Sequence, residues 1–302
     1  MQTLVEYIVE QISVKNPLHG KKLRKNSMKF DEEYLKRADI FLTKYQFLLQ
    51  QQNKHIDYAI QCYLQMLADV NYESVQFIQT GEYSSKSFDE VNQRVYASPQ
   101  VMEYYMHGLL LSQFLWLHHY KILLFFNTII QKNSPTINHY LEVGGGHGLY
   151  ISEAIDLIGA KAQYHLVDIS QSSIDMAKAM VNNPSVSYIL SDVYAYEPHA
   201  KYDFITMGEV MEHIEDPVKL LKKIYTLMTD DGKLFITTPT NAPAIDHIYL
   251  FQNADDIRAV IRAAGFEIRD ELCFFSEDVS AEIAAKYKIS MMYASVVIKQ
   301  TK

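Results

Sequence analysis

The spacing of apolar side chains changes in character near residue 134 of this chain. Before that point they recur every three or four positions, as they do along one face of a helix. In the stretch that starts at Asp31, the positions with this spacing are Tyr34, Ala38, Phe41, Leu42, Tyr45 and Leu48. Asp31 and Ser87 are residue types that cap helix N-termini, and a long helix is predicted from about Gln100 to Gln131. Residues 1–133 are therefore predicted to form an all-helical region.

Beyond residue 134, short apolar runs alternate with amphipathic helical patterns. The predicted strands are HYLEVG, QYHLVDI, VSYILSD, YDFITMGE, GKLFITTP, FEIRDELCFF and MMYASVVIKQ. The predicted helices between them cover 149–158, 171–181, 216–228, 253–264 and a short stretch near 279–287. This alternation favours a mostly parallel sheet with helices on both faces. Ligands of such sheets bind beyond the carboxyl ends of the strands, so candidate chemistry is expected there.

A glycine-rich turn follows the first predicted strand, in the sequence NHYLEVGGGHGLYISEAI. Gly144, Gly146 and Gly148 permit backbone angles that other residues avoid, and they leave no Cβ between the turn and a ligand. A dinucleotide-binding fingerprint needs a third glycine where this chain has Leu149. Glu142, just before the turn, would repel a pyrophosphate but can organise a ligand that carries an ammonium group. An NAD-dependent dehydrogenase is therefore the least favoured function, although glycine turns also serve packing alone.

Acidic residues also follow the second and third predicted strands. Asp168 ends the second, where a carboxylate can accept hydrogen bonds from both hydroxyls of a ribose. Asp192 follows the third, where it can accept from an adenine amino group while the backbone N–H of Val193 faces the ring. Taken alone, each acid is more typical of a helix N-cap. Three consecutive strands that end in Glu142, Asp168 and Asp192 favour a shared ligand.

This ordered set of motifs resembles a class I S-adenosylmethionine-dependent methyltransferase over residues 136–300. The segments that carry the resemblance are YLEVGGGHG, YHLVDIS, YILSDVY, YDFITMGEVMEHIEDP, DGKLFITTP and AGFEI. The resemblance implies an α/β, Rossmann-like fold of seven strands, the last antiparallel, and S-adenosyl-L-methionine as cofactor. The cofactor-binding residues that it implies are Glu142, Gly144, Gly146, Gly148, Asp168, Ile169, Asp192, Val193 and Glu209. Glu209, or its neighbours Met207 and Gly208, would lie beside the sulfonium.

The fourth-strand segment contains a second cluster of candidate ligands, in GEVMEHIEDP. Glu209, Glu212 and His213 stand at positions i, i+3 and i+4, which share one face of a helix or tight turn. Two carboxylates and an imidazole that face one point can bind a divalent metal ion. The run resembles the ExxEH motif of ubiquinone-pathway O-methyltransferases and of small-RNA terminal 2′-O-methyltransferases. In the latter a later histidine completes the metal shell, and His247 is the candidate here.

The cluster of Glu209, Glu212, His213 and His247 has two other interpretations. Many class I methyltransferases carry EVxEHxxDP as a structural turn, in which His213 would be buried and hydrogen-bonded. Without a metal, His213 or His247 can act as general base on a hydroxyl or an amine, because histidine titrates near neutral pH. The predicted catalytic residues are Glu209, His213 and His247. The predicted ligands of Mg²⁺ or another divalent metal ion are Glu209, Glu212, His213 and His247.

Composition and charge narrow the class of partner. A net charge of −8 argues against a broad nucleic-acid-binding surface. Acidic residues within the apolar N-terminus argue against a signal peptide. The most apolar segment, HGLLLSQFLWLHHYKILLFFNTII, has too many polar groups for a membrane span and is predicted to be a buried or groove-lining helix. Cys62 and Cys273 form no metal or redox motif and suit a reducing cytosol, so a cytoplasmic protein is expected.

The helical region at residues 1–133 would cover the cofactor cleft of a domain at residues 134–302. It is predicted to form a lid or substrate-binding region that excludes water, with a homodimer interface as the alternative. Methyl transfer to an oxygen or nitrogen of a small-molecule substrate is the favoured function. One alternative is an enzyme that consumes the same cofactor without methyl transfer, a cyclase or lyase that releases methylthioadenosine. The other is a non-catalytic cofactor-binding protein.

Overall fold

The computed structural model of the protein describes residues 2–300, and within them the second half of the chain builds a seven-stranded sheet. Its strands are β1 (His139–Val143), β2 (Gln163–Asp168), β3 (Val186–Leu190), β4 (Tyr202–Gly208), β5 (Met228–Thr240), β6 (Phe266–Phe275) and β7 (Met291–Lys299). They are ordered β3-β2-β1-β4-β5-β7-β6. Strand β7 runs antiparallel to β5 and β6, and the remaining neighbours are parallel. The predicted sheet with its antiparallel last strand is confirmed.

Helices precede the sheet and flank both of its faces. The N-terminal helices are α1 (Leu4–Lys15), α2 (Pro17–Ser27), α3 (Glu32–Gln51), α4 (Ile56–Thr80), α5 (Phe88–Val91), α6 (Pro99–Leu115) and α7 (Leu117–Asn133). The later helices are α8 (Leu149–Ile158), α9 (Gln171–Val181), α10 (Pro217–Leu227), α11 (Ala254–Ala263) and α12 (Ala281–Tyr287). The helical pattern and the strand–helix alternation are both confirmed. The third predicted strand is too long, because β3 ends at Leu190 and Asp192 lies in the turn beyond it.

Local hydrogen bonds explain where several helices begin. The side chain of Asp31 accepts from the backbone N–H of Tyr34, at 2.7 Å, where α3 starts. Ser87 accepts from the N–H of Glu90, at 3.3 Å, where α5 starts. Each cap satisfies a donor that has no partner inside its own helix, which contributes about 1 kcal/mol. Both predicted N-caps are confirmed.

The prediction of a single long helix from Gln100 to Gln131 is wrong, because the chain forms two helices that are separated by a break at Trp116. The Trp116 backbone is extended (φ −98°, ψ 128°), and α6 and α7 meet there at a bend of 75°. No proline or glycine marks the break, so the apolar pattern did not indicate it. Instead, the Trp116 indole N–H donates to the hydroxyl of Tyr63 on α4, 2.7 Å away. Among residues 2–300, no single helix is long and apolar enough to span a membrane. Helices α6 and α7 reach that length and apolarity only when taken together as a bent pair.

Two apolar cores lie on opposite faces of the sheet. One joins the N-terminal helices to α8, α9 and the sheet face that carries Tyr140, Phe204 and Phe235. The other packs α10 and α11 against the opposite face, around Leu141 and Ile236. The N-terminal helices therefore share a continuous core with the sheet. This packing brings side chains of α4 and α6 to the same cavity as the carboxyl ends of β1, β2 and β4.

Candidate active site

A cavity of about 760 Å³ lies at the carboxyl ends of the parallel strands. One part of its lining comes from the glycine turn after β1 and from the segments that follow β2, β3 and β4. The other part comes from side chains of α2, α4, α6 and α7. A cavity of this volume is typical of a small-molecule site. Both halves of the chain therefore contribute to one candidate site.

The glycines of the turn have different structural roles. Gly144, Gly146 and Gly148 have positive φ angles, of 69°, 50° and 74°. A Cβ on Gly148 would lie 2.8 Å from Val181 Cγ2, so packing against α9 requires a glycine there. The nearest atom to a Cβ on Gly146 would be Met106 Cε, at 3.9 Å. Gly146 thus presents a bare backbone to the cavity, as the predicted ligand contact requires.

Glu142 is buried at the end of β1 with one oxygen unpaired. The residue is 2% exposed, and its Oε2 finds no hydrogen-bond partner among residues 2–300. Burial raises the pKa of this carboxyl to about 8, and the nearby charge of Asp168 adds to the shift. A buried carboxylate oxygen without a partner is costly unless a ligand supplies the donor. Together with the bare backbone of Gly146, this oxygen fits the ammonium end of S-adenosylmethionine.

Asp168 lies at the carboxyl end of β2, and its carboxylate accepts two backbone hydrogen bonds. Oδ1 accepts from the N–H of Ser170 at 2.8 Å, and Oδ2 accepts from that of Gly146 at 3.3 Å. Burial raises the pKa of Asp168 to about 6. Each oxygen keeps a further lone pair, so the carboxylate can also accept from the two hydroxyls of a ribose. The next residue, Ile169, is 46% exposed and offers an apolar surface to the same cavity.

Asp192 and Val193 line the cavity in the turn that follows β3. The Asp192 side chain is exposed, and its Oδ1 accepts from the backbone N–H of Tyr194 at 2.8 Å, which stabilises the turn. Val193 is half-buried beside it. The structure thus brings both residues to the same cavity as Asp168. Their expected contacts with an adenine ring stay predictions.

Glu209 begins the loop after β4 in a left-handed conformation (φ 54°), which is uncommon for residues other than glycine. Its backbone N–H donates to the carbonyl of Thr237, and its Oε1 accepts from the Thr237 hydroxyl at 2.8 Å. Burial raises the pKa of Glu209 well above its ordinary value, and the Glu212 carboxyl adds to the effect. Backbone strain of this kind is found at ligand sites, where surrounding contacts hold it. The hydrogen bonds to Thr237 provide such contacts in the lining of the cavity.

Glu212, His213 and His247 each place one candidate ligand atom within 4.8 Å of the others. Glu212 is fully buried, and its Oε2 accepts from the Thr238 hydroxyl at 2.8 Å. Its Oε1 lies 4.0 Å from His213 Nε2 and has no hydrogen-bond partner within the described chain. Glu209, the fourth predicted ligand, is not part of this group. The structure therefore brings together three of the four predicted metal ligands. A carboxylate and two imidazoles are a donor set that suits several divalent metal ions.

The hydrogen bonds of the two histidines leave one nitrogen of each ring available. His213 Nδ1 lies 2.9 Å from the carbonyl oxygen of Asp246, and His247 Nδ1 lies 2.5 Å from that of Ala242. Because a carbonyl only accepts, both Nδ1 atoms carry a proton, and in the neutral form of each ring Nε2 keeps a lone pair. The two rings meet edge to face, with centroids 4.8 Å apart. Each Nε2 can therefore bind a metal ion or accept a proton.

The two rings differ in pKa. Burial works against the charged form of His213, but the carboxylates of Asp246 and Glu212 outweigh it and raise the pKa. Burial lowers the pKa of His247 to about 4, and the charge of His213 contributes to that shift. His213 is therefore the stronger base of the pair, and His247 is neutral at pH near 7.

Three residues that position His213 were not among the predicted site residues. The carboxylate of Asp246 is buried, and it accepts from the hydroxyl of Tyr105 at 2.8 Å and from that of Tyr96 at 3.3 Å. The Tyr96 hydroxyl also lies 3.2 Å from His213 Nδ1. Tyr96 ends a π-helical turn (Asn92–Tyr96), a distortion that is frequent at functional sites. A separation of 141 residues between Tyr105 and Asp246 leaves no spacing signal in the sequence.

The seven-stranded sheet with an antiparallel last strand, the glycine turn after β1 and the acid at the end of β2 define a class I methyltransferase. Comparison with protein families agrees with this class. Residues 117–271, about half of the chain, match a family model described as a methyltransferase domain. The chain belongs to this methyltransferase family. Class I methyltransferase domains use S-adenosyl-L-methionine as cofactor, and the residues described above fit that cofactor.

Curated relatives match over about a third of the chain. A ubiquinone biosynthesis O-methyltransferase of Coxiella burnetii is 38% identical over 103 residues, which are 33% of this chain and 43% of that protein. A malonyl-[acyl-carrier protein] O-methyltransferase of Ilyobacter polytropus is 30% identical over 99 residues, which are 32% of this chain and 37% of that protein. The chain thus spans less than half the length of these relatives.

A solved structure shares the fold over more of the chain. The mitomycin 7-O-methyltransferase MmcR matches with a TM-score of 0.53 and 12% sequence identity. The match covers 76% of this chain and 67% of MmcR, so it includes part of the N-terminal helices as well as the sheet. At this identity the match shows a common fold alone.

Proposed function

We propose that the protein transfers the methyl group of S-adenosylmethionine to a hydroxyl oxygen of a small molecule that enters the cavity. The observation that carries this proposal is the lining of one cavity by both the glycine turn and two histidines, His213 and His247. Each of these histidines has a free Nε2. A hydroxyl acceptor must lose a proton when it is methylated, and a nearby imidazole can take it.

The cofactor-binding residues divide the cavity into positions for the parts of the cofactor. Glu142 and the Gly146 backbone contact the amino-acid end of the cofactor. Asp168 accepts hydrogen bonds from the ribose hydroxyls. Ile169 and Val193 supply apolar surfaces for the adenine ring. When bound, the cofactor supplies an electrophilic methyl group on a sulfonium. These residues orient the sulfonium of the cofactor towards the loop after β4, where the methyl acceptor binds in this proposal.

His213 is the proposed general base. Its Nδ1 proton is held by the Asp246 carbonyl, so Nε2 faces the acceptor as a lone pair. The Asp246 and Glu212 carboxylates stabilise the imidazolium that forms when Nε2 takes the proton. Tyr96 and Tyr105 hold Asp246 in place from the N-terminal half of the chain. His247, whose pKa is lower, is better suited to accept a hydrogen bond than to keep a proton.

We propose a second state of the cluster of Glu212, His213 and His247, in which these residues bind a divalent metal ion. The unpaired Glu212 Oε1 and the free nitrogens of both histidines fit such an ion. A bound metal ion would lower the pKa of an acceptor hydroxyl and so replace the general base. Glu209, held by Thr237, would then border the site without binding the ion.

Residues 1–133 form the cover of the site in this proposal. The Tyr83 hydroxyl accepts from the backbone N–H of Ala242 at 2.9 Å, and the N–H of Phe88 donates to Glu215 Oε1 at 2.9 Å. Both contacts tie the helical region to the loops after β4 and β5, where His213 and His247 lie. A cover of this kind excludes water from the sulfonium and limits the acceptor to a small molecule. The lining also extends far beyond the predicted cofactor residues, which leaves room for a second ligand and disfavours a cyclase.

The names of the relatives support oxygen as the acceptor atom. Both curated relatives are named as O-methyltransferases, and so is MmcR. Their named substrates differ from one another, and we transfer none of them to this chain.

The proposal is tested by incubating the purified protein with methyl-labelled cofactor and fractionated metabolite extracts. We expect label in a metabolite ether and S-adenosylhomocysteine as the co-product. His213→Ala is expected to lower turnover about 100-fold or more, whereas His199→Ala, a change at an exposed histidine, leaves it unchanged. Loss of turnover with EDTA and recovery with Mg²⁺ or Mn²⁺ would support the metal-bound state. Methylthioadenosine as the product, or label on nitrogen, would contradict the proposal.

A further inference from the structure

The cavity has a second polar region that the proposed reaction does not use. It lies where α6 breaks into α7 and extends to α2 and the glycine turn. Its members, which we name the histidine subsite, are His19, Trp116, His118, His119 and His147. All five residues line the cavity, and Trp116 is the single tryptophan of the chain.

A chain of hydrogen bonds fixes which nitrogen of His19 carries the proton. The Trp116 indole N–H donates to the Tyr63 hydroxyl at 2.7 Å, and that hydroxyl lies 2.6 Å from His19 Nε2. The indole only donates, and the Tyr63 hydroxyl has no acceptor other than His19 among residues 2–300, so the Tyr63 proton points to His19. His19 Nε2 therefore accepts, and its Nδ1 carries an N–H.

Local contacts fix the rings of His147 and His119 in the same way. His147 Nδ1 accepts from the backbone N–H of Leu149 at 3.3 Å, so its Nε2 carries an N–H. His119 Nδ1 lies 3.4 Å from the Ser112 hydroxyl, whose own proton goes to the Leu109 carbonyl at 2.8 Å. His119 Nδ1 therefore donates, and its Nε2 keeps a lone pair. The subsite offers both N–H donors and a bare acceptor nitrogen.

The rings of the subsite are uncharged at neutral pH. Burial lowers the pKa of His19 and of His119 to about 4, and it lowers that of His147 to about 3. Burial likewise moves the pKa of His118 well below its ordinary value. Neutral imidazoles that both donate and accept match a hydroxyl group, which also does both. A charged ligand would find little compensation there, because Lys22, the cation next to these rings in the lining, is already paired with Glu277 Oε1 at 2.7 Å.

Aromatic surface surrounds these polar atoms. The Trp116 ring centroid lies 5.2 Å from that of His118 and 5.3 Å from that of His119, and the two imidazoles lie 4.4 Å apart. Trp116 lines the cavity with its indole N–H already satisfied by Tyr63. What Trp116 offers to a ligand is therefore ring surface, which favours a planar aromatic group.

We infer that the histidine subsite binds an uncharged, planar aromatic ring that carries hydroxyl groups, and that it thereby selects the methyl acceptor. The inference rests on the proposed function, because it names the substrate class of the same cavity. The ring would lie against Trp116, and a hydroxyl other than the one that is methylated would bond to the fixed imidazoles. No step of methyl transfer requires these residues, so their effect is on binding of the acceptor.

Trp116 provides a reporter that does not depend on turnover. We would follow its fluorescence while catechol is added to the protein saturated with S-adenosylhomocysteine. A saturable change with catechol is expected, and a much weaker one with cyclohexanediol, which has the hydroxyls without the ring, or with benzoate, which has the ring with a charge. His119→Phe removes the polar atoms but keeps a ring, and it is expected to weaken catechol binding about tenfold. The matched control, His199→Phe at an exposed position, is expected to bind catechol as the parent does.

Each other outcome would overturn the inference or separate it from the proposed function. If S-adenosylhomocysteine alone produces the whole change, the subsite holds the cofactor and the inference is wrong. Equal binding of catechol to parent and His119→Phe also contradicts it. Should His119→Phe lose its far-ultraviolet circular dichroism, His118→Phe takes its place in the same titration. Catechol that binds at Trp116 in the absence of any O-methyl transfer activity would reject the proposed function, and with it the role in acceptor selection, but would keep the subsite as a binding site for a hydroxylated aromatic ring.

Discussion

Buried carboxyls are the unusual feature of this site at the scale of single residues. Burial raises the pKa of Glu142, Asp168, Glu209 and Glu212 in the ligand-free protein. A folded protein keeps several such groups together only where another requirement outweighs their cost. A cofactor with both a sulfonium and an ammonium group relieves part of that cost when it binds. The acids at the strand ends were identified from sequence, but their burial and charge state depend on packing that the sequence does not reveal.

Asp168 gives the simplest prediction for cofactor binding. Asp168→Asn keeps the shape of the side chain but replaces one acceptor oxygen with a donor, so it can no longer accept from both ribose hydroxyls. We expect S-adenosylhomocysteine to bind about 10- to 100-fold more weakly, as measured by isothermal titration calorimetry. The control is Asp175→Asn, which changes an exposed aspartate on α9. Unchanged affinity in a folded Asp168→Asn protein would remove Asp168 from the cofactor site.

Glu142 gives a prediction for stability against pH. Its pKa in the folded chain is about 8, above the ordinary 4.5, so the folded state holds this proton more tightly than the unfolded one. The stabilising contribution is complete below pH of about 4.5 and is lost as pH rises to about 8. Glu142→Gln cannot titrate. The melting temperature of the ligand-free parent should therefore fall more than that of Glu142→Gln as pH rises from about 4.5 to about 8, as followed by scanning fluorimetry. Parallel curves would contradict this assignment.

At the scale of elements, periodicity predicted most of what the structure contains. The helices at 149–158 and 171–181 have the predicted bounds, because one face of each packs on the sheet and imposes the helical spacing. The break at Trp116 was missed because its cause is a contact with Tyr63, 53 residues away. The network of Tyr96, Tyr105 and Asp246 was missed for the same reason. Contacts between distant segments carry no local spacing signal.

The hydrogen bond between Trp116, at the bend of α6 and α7, and Tyr63 can be tested by a substitution on α4. Tyr63→Phe removes the hydroxyl that accepts from Trp116 and donates to His19, so it leaves two groups without their partner. We expect a loss of about 1 to 3 kcal/mol in the free energy of unfolding, measured by chemical denaturation. Tyr72→Phe on the same helix alters an exposed tyrosine and should cost less than about 0.5 kcal/mol. Equal stabilities of the two variants would show that this hydrogen bond is not needed for the bend.

The contact between α6 and the active site makes a kinetic prediction. Tyr105→Phe removes the hydrogen bond to Asp246, and with it part of the support of His213. We expect kcat to fall about tenfold while the affinity for S-adenosylhomocysteine stays the same. Tyr104→Phe removes a hydrogen bond of similar length to Asp69, away from the cavity, and serves as the control. If both variants keep the parent kcat, the tyrosine network has no part in positioning His213.

At the scale of the whole molecule, the two halves of the chain share the apolar core on the Tyr140 face of the sheet, and both halves line the same cavity. The boundary between residues 1–133 and 134–302 was drawn where the apolar pattern changes, and it stays a prediction. The family match begins at residue 117, within the N-terminal side of that boundary, and α7 packs on the sheet. The sequence indicated which half binds the cofactor. It also predicted a lid or substrate-binding region at residues 1–133. It did not reveal which side chains of that region reach the cavity, because that depends on how the halves pack.

The measurement that tests the central claim most directly is the crystal structure of the protein with S-adenosylhomocysteine. The account predicts the amino-acid end at Glu142 and Gly146, the ribose hydroxyls on Asp168, and the sulfur facing the part of the cavity that holds His213 and His247. Space for an acceptor should remain between the sulfur and these histidines. A cofactor found elsewhere, or one whose sulfur faces away from His213, would contradict the account.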